Sequence, residues 1–202
     1  MRRTVETMQV RRVLQTNSTD RADLAPPDAT PTTDSLPRRI ADFDTLGEAL
    51  DYAARGRKGM NFHDARGSLV RAYPYSELRE DSLANARRFV VLGIKPGDRV
   101  ALVAETGADF AAAFFGAIYA GAWPVPLPLP TSFGGRQAYV DQLKIQLQSC
   151  DPVLFLVPSD LAEMAAEAAG SVPVRDWATL PGLDQSDSDL PASGPDEIAY
   201  LQ

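Results

Sequence analysis

Hydrophobic and polar positions change period several times along this 202-residue chain, and each change predicts an element. Residues 1–39 show neither a helical nor a strand period. Large apolar residues are few there, and Pro26-Pro27, Thr30-Pro31-Thr32-Thr33 and Pro37 interrupt them. Such a segment buries too little apolar surface to offset its ordering entropy, so a disordered leader over 1–39 and a folded unit over 40–202 are expected. A misassigned start codon and a weak membrane-surface helix over residues 5–14 are the other readings of the leader.

From Thr45 the texture changes. Leu46, Leu50, Tyr52 and Ala53 suit a helix with Glu48 in its first turn, ended by the Gly56 and Gly59 signals. Met60-Asn61-Phe62-His63 and residues 69–73 read as two short strands joined by Asp64-Ala65-Arg66-Gly67-Ser68, a run of turn-forming residues. A helix follows. Ser76 is its expected N-cap, Glu77, Glu80 and Asp81 favour its positive end, and Gly93 stops it at C′. Leu78, Leu83, Ala86, Phe89 and Val90 form its apolar stripe.

Arg99-Val100-Ala101-Leu102-Val103-Ala104 is almost continuously apolar, the pattern of a strand covered on both faces in a parallel sheet. A helix over 108–120 is stopped by Gly121. The order then repeats: a strand end at Trp123-Pro124-Val125, a helix over 136–149, a strand over 153–157, a helix over 161–169 and a short strand at Val172-Pro173-Val174. An acidic loop spans 184–194, and residues 196–202 start a further strand whose edge, at 198–201, is expected to be exposed. The alternation predicts an α/β fold with a mostly parallel sheet flanked by helices, incomplete within this sequence.

The proline run Pro124-Val125-Pro126-Leu127-Pro128-Leu129-Pro130 fixes backbone φ and deletes amide donors at every second residue. It is expected to leave the sheet as a stiff extended connection rather than continue as a central strand. Its spacing of two, not three, lacks the pattern that aromatic-grooved adaptor modules recognise.

Composition narrows the function classes. The net charge of −7 is uneven: residues 1–39 carry seven basic and five acidic groups, 40–150 carry twelve of each, and 151–202 carry one basic and ten acidic. An acidic end argues against nucleic-acid binding. The longest apolar stretch, residues 110–123, contains Gly116 and Gly121 and falls short of the roughly 20 residues of a membrane span. One cysteine, Cys150, forms no internal disulfide, and no apolar run of signal-peptide length follows Arg2-Arg3, so a cytoplasmic location is expected. His63 is the only histidine and has no serine or cysteine nucleophile motif around it; it reads as structural. Cys150 has no zinc-site spacing around it, and the acidic run over 184–189 lacks the glycine and terminal glutamate of a calcium loop.

One candidate remains. Phe133-Gly134-Gly135-Arg136 places two glycines before a helix start, so Gly134 and Gly135 amides and the Arg136 charge would contact a substrate or anion. The competing reading is a tight turn with Arg136 solvated or salt-bridged.

The succession Tyr73-Pro74-Tyr75-Ser76-Glu77-Leu78, Leu92-Gly93-Ile94-Lys95-Pro96-Gly97-Asp98-Arg99-Val100-Ala101-Leu102 and Phe114-Phe115-Gly116-Ala117-Ile118-Tyr119-Ala120-Gly121-Ala122 resembles the start of an adenylate-forming enzyme. Within that superfamily the proline run, Phe133-Gly134-Gly135-Arg136, Tyr139 and Gln142-Leu143 resemble fatty acyl-AMP ligases more than acyl-CoA synthetases. The resemblance covers about residues 41–202. It implies activation of a fatty acid with ATP and magnesium to an acyl-adenylate, release of pyrophosphate, and transfer to an acyl carrier protein, often of a polyketide or peptide synthetase.

Residues 196–202 match the strand that in this family runs into a Ser/Thr/Gly-rich phosphate-binding loop. That loop, the downstream nucleotide motifs, the magnesium glutamate and the domain carrying a catalytic lysine are not in the sequence, so no family catalytic residue is carried over. The expectation is an N-terminal piece of such a ligase, inactive alone. Two alternatives stand beside it: a non-catalytic remnant binding a carrier protein or apolar ligand, and an unrelated α/β small-molecule-binding domain with its ligand at the carboxyl ends of its strands.

Overall fold

The computed structural model describes residues 36–40, 42–130 and 135–202. Residues 1–35 of the expected leader lie outside these. Its last residues lie against the first helix: the Tyr52 hydroxyl donates to the Pro37 carbonyl, and the Arg39 guanidinium sits 3.9 Å from the Phe43 ring centroid.

Helix α1 (Leu46–Ala53) starts in a reciprocal cap. Thr45 Oγ1 accepts from the Glu48 amide at 3.1 Å, and the Glu48 carboxylate accepts from the Asp44 amide at 3.0 Å. Strands β1 (Gly59–His63) and β2 (Leu69–Pro74) form an antiparallel hairpin, its turn closed by the Asp64 carboxylate on the amides of Arg66 and Ser68.

Helix α2 (Tyr75–Val91) corrects one expectation, because its N-cap is Pro74 and Ser76 lies inside the first turn. The hairpin supplies the cap instead: the Tyr75 amide donates to the Lys58 carbonyl at 3.0 Å. The buried stripe is Leu78, Ser82, Asn85, Ala86 and Phe89, with Leu83 and Val90 half-buried. The stripe rotates toward the small residues because α3 (Ala108–Tyr119) approaches closely there. A Cβ on Gly116 would lie 2.8 Å from the Asn85 Cβ and 3.1 Å from the Ser82 carbonyl oxygen.

The remaining elements are β3 (Arg99–Val103), β4 (Trp123–Leu127), α4 (Gly135–Cys150), β5 (Leu154–Val157), α5 (Ala162–Ala169) and β6 (Val174–Asp176). The four strands form one parallel sheet in the order β4-β3-β5-β6. Side chains alternate across it. Val100, Leu102, Leu154 and Leu156 meet α2 and α3, with Trp177 and Leu180 of a 3₁₀ turn (Trp177–Gly182) closing that layer. Ala101, Val103, Val125, Leu127, Phe155 and Val157 meet α4 and α5 on the other face. Helix α4 ends at Cys150, where Asp151 turns left-handed (φ +44) and the Arg99 guanidinium donates to the carbonyls of Cys150 and Asp151.

Two further expectations change. The strand expected at 172–174 is β6, starting at Val174; Pro173 lacks a donor and serves as an acceptor for the Phe155 amide at 2.9 Å. Strand β4 runs two residues beyond Val125 and carries Pro124 and Pro126 inside the sheet; only residues 128–130 leave it. The Trp123 amide donates to Asp98 and the Leu127 carbonyl accepts from Ala104, both at 2.7 Å, so the odd positions face β3. The proline nitrogens therefore face away from β3, where the ladder to that strand needs no donor.

Gly116→Val is expected to destabilise the chain by about 1–3 kcal/mol, because the new side chain pushes α3 off α2. Urea denaturation of the two proteins measures the difference, and an unchanged midpoint would show that the helices can separate freely.

Candidate functional site

The loops after the parallel strands gather on one edge of the sheet. The chain leaves β3 toward the face covered by α3, and leaves β5 toward the face covered by α5. In open α/β sheets ligands usually lie beyond the carboxyl ends of the strands, where successive connections part to opposite faces. Residues 104–107 follow β3, 128–130 follow β4, Ser159–Leu161 follow β5, and the turn Trp177–Gly182 follows β6.

Two local devices hold this edge. Tyr139, 3% exposed, reaches from α4 to donate to the Pro128 carbonyl at 3.1 Å, which pins the end of the proline run to the helix behind it. Burial pushes its phenol up to about 12. Ser159 Oγ donates to the Asp176 carboxylate, whose other oxygen accepts from the Ala178 amide at 2.9 Å, tying the ends of β5 and β6 together.

Gly134 lies outside the described residues. Gly135 opens α4 with φ +66, and Arg136 follows it. The Arg136 guanidinium crosses to α5, with Nη1 at 2.6 Å from Glu167 and Nη2 at 3.4 Å from Glu163. An anion arriving at this turn meets a cation already held by two carboxylates, and must compete with both for its donors.

His63 ends β1 on the hairpin, in a different element from the carboxyl edge. The Cys150 thiol is half-buried at the end of α4, and desolvation raises its pKa. Among the described residues no group of three or more His, Cys, Asp or Glu side chains would hold a metal ion, and no helix is long and apolar enough to cross a membrane. The edge thus presents Arg136 as a cation already paired with two carboxylates. Sequence reasoning missed the Ser159–Asp176 link, whose signal, a Ser and an Asp each closing a short strand, is too common to single out.

The AMP-binding enzyme family matches this chain over residues 57–202. A putative acyl-CoA synthetase of Caulobacter vibrioides is 41% identical over 174 residues, covering 86% of this chain and 30% of the relative. The long-chain-fatty-acid–AMP ligase FadD32 of Mycolicibacterium smegmatis is 30% identical over 163 residues, 77% of this chain and 24% of the relative. A solved structure from "Structural and Functional Studies of Fatty Acyl-Adenylate Ligases from E. coli and L. pneumophila" matches with a TM-score of 0.78 at 39% identity, over 82% of this chain and 30% of that one. The chain therefore spans under a third of the length of these proteins.

Tyr139 gives the site a pH signature. Its folded-state pKa stands above the ordinary value of 10, so the neutral phenol stabilises the fold; that contribution is full below pH 10 and is lost as pH rises through about 12. Tyr139→Phe keeps the ring but removes both the titration and the bond to Pro128. The variant is expected to lose about 1 kcal/mol at pH 8 and to show a shallower fall in stability between pH 10 and 12. Urea melts at pH 8 and 11 test it; parallel pH profiles would mean that Tyr139 does not couple to folding.

Proposed function

We propose, from the premise that this chain belongs to the AMP-binding enzyme family, that it is the N-terminal part of a fatty acyl-AMP ligase. The complete enzyme would activate a fatty acid with ATP and magnesium to acyl-adenylate and pass the acyl group to an acyl carrier protein, alone or within a polyketide or peptide synthetase. The observation that carries this reading is the 39% identity, at a TM-score of 0.78, to a structure from work on fatty acyl-adenylate ligases.

The described residues do not fit magnesium: they bring no cluster of ligating side chains together. Adenylate formation needs cations and amides placed where charge develops at phosphate. On this reading the 202 residues are scaffold: they build the carboxyl edge, and groups from the rest of the enzyme carry nucleotide and metal. Gly134, Gly135 and Arg136 are proposed as a substrate or anion contact in that assembly, with the anion replacing Glu163 and Glu167 on the guanidinium.

A second reading rests on the Caulobacter relative, whose name specifies a putative acyl-CoA synthetase. The two readings differ in the acyl acceptor, not in the first half-reaction.

Sequencing the DNA beyond the Gln202 codon, then assaying the encoded product with ATP, magnesium and a long-chain fatty acid, tests the proposal. An extended chain is expected to release pyrophosphate and form acyl-AMP, whereas the 202-residue chain forms none. Offered both coenzyme A and a carrier protein bearing its phosphopantetheine arm, the extended enzyme is expected to load the carrier. Thioester formation on coenzyme A would favour the synthetase reading, and absence of any fatty acyl-adenylate would overturn both.

A further inference from the structure

A guanidinium presents its N–H donors in one plane, and each donor taken out of water needs an acceptor. On α2, Arg88 meets that demand only in part. Its Nη1 donates to Asn85 Oδ1 at 3.0 Å, one turn back on the same helix, while its Nε is buried and has no hydrogen-bond partner. Asn85 is itself only 7% exposed and is hemmed in by α3, where a Cβ on Gly116 would lie 2.8 Å from the Asn85 Cβ. A buried anchor therefore holds the guanidinium by Nη1 and leaves its Nε and Nη2 edge for another acceptor. That edge can grip a carboxylate through two parallel bonds.

Arg88 and Asn85 line a cavity of about 170 Å³ between α2, the start of α3 and the turn Trp177–Gly182. Such a space exceeds the share of a single water, about 30 Å³, and falls below the roughly 300 Å³ at which sites for drug-sized ligands begin. Its walls divide by chemistry. Ala112, Pro181 and the buried Trp177 and Leu180 supply an apolar side, and Asp81 and Asp109 supply two carboxylates. Asp81 is already engaged: it accepts from the Tyr73 hydroxyl at 2.7 Å and stands 3.7 Å from Arg71. Asp109 stands exposed in the first turn of α3.

We propose that this cavity binds a small monocarboxylate, with its oxygens on Arg88 Nε and Nη2 and its short apolar tail against Trp177, Leu180 and Pro181. An acceptor at Nε satisfies a donor that the protein alone leaves buried and unpaired. The aspartates set the charge limit. One negative charge is offset by the guanidinium, whereas a dianion such as phosphate is repelled by both carboxylates. The cavity lies on the face of the sheet covered by α2 and α3, and Arg136 is carried by α4 on the other face, so this site is separate from the contact proposed at Gly134, Gly135 and Arg136. It does not depend on the ligase reading.

Titration of the 202-residue chain with sodium butyrate at constant ionic strength, followed by the indole N–H resonance of Trp177 in proton–nitrogen NMR, tests the site. For so small a ligand the shift is expected to saturate with a Kd of about 1–10 mM. Phosphate at the same ionic strength is expected to give no saturating shift. Arg88→Lys keeps the positive charge but loses the planar fork, and is expected to weaken butyrate binding about tenfold. A butyrate shift that stays linear to about 100 mM would mean a cavity holding water alone and would overturn the proposal. Equal affinity in a folded Arg88→Lys protein would overturn it as well, and phosphate binding as tightly as butyrate would overturn the choice of a monocarboxylate. Should Arg88→Lys fail to fold, Asp109→Asn at its exposed position serves instead: it is expected to tighten butyrate binding about threefold, and an unchanged Kd would refute the site.

Discussion

The burial of β3 on both faces is the constraint from which the other placements follow. Val100 and Leu102 lie under α2 and α3, while Ala101 and Val103 lie under α4 and α5; all four are fully buried. A strand covered in this way needs helices on each side and strands on each edge, so each parallel strand is joined to the next through a helix packed on one face or the other. With both faces occupied, the connecting loops gather at the carboxyl edge, and the outer edge of β4 lies beside Leu201. Even the peripheral α1 and the hairpin are drawn in through this packing. The Asp51 carboxylate accepts from Arg79 of α2 at 2.6 Å and from the Tyr119 hydroxyl of α3 at 2.7 Å, so α1 is tied to the two helices that cover β3.

Much of this was legible in the sequence, because continuous patterns carry their own geometry. The apolar run at residues 99–104 and the Gly93 and Gly121 stops lead to β3, α2 and α3, and the α/β class with its parallel sheet follows from their alternation. What was not legible depended on partners distant in sequence. Ser76 carries a good capping side chain, but the Lys58 carbonyl of the neighbouring hairpin took the first amide of α2 instead. A proline in a strand reads as a break until one knows which way its missing donor points. In β4 it points away from β3, so Pro124 and Pro126 cost the sheet nothing on the inner side. The turn Trp177–Gly182 gave no strand or helix period, yet Trp177 and Leu180 finish the core above α2 and α3.

The sequence names Arg136 as a candidate contact but says nothing of the charges around it. Glu163 and Glu167 stand four apart on α5, a spacing that places both on one helix face. Nothing local relates that face to Arg136, some 27 to 31 residues earlier; only the crossing of β5 between α4 and α5 brings them together. The pairing changes what the turn at Gly135 is able to do. A free arginine beside glycine amides would attract any phosphate or carboxylate, whereas Arg136 already has two glutamates on its guanidinium.

The prolines reconcile two mechanical demands at that edge. The inner side of β4 must be rigid, since Tyr139 hangs the exit loop on Pro128 and any slip in register would carry that loop away from the strand ends. The outer side has the opposite property: alternate donors are gone, so whatever lies along it is guided by carbonyls and side chains but not locked. Because backbone groups alternate direction along a strand, prolines spaced by two can remove every outward donor without touching an inward one, whereas prolines at any odd spacing would break the inner ladder as well. The alternating run is therefore a solution to a directional problem, and it places a firm seam and a loose one on either side of a single five-residue strand.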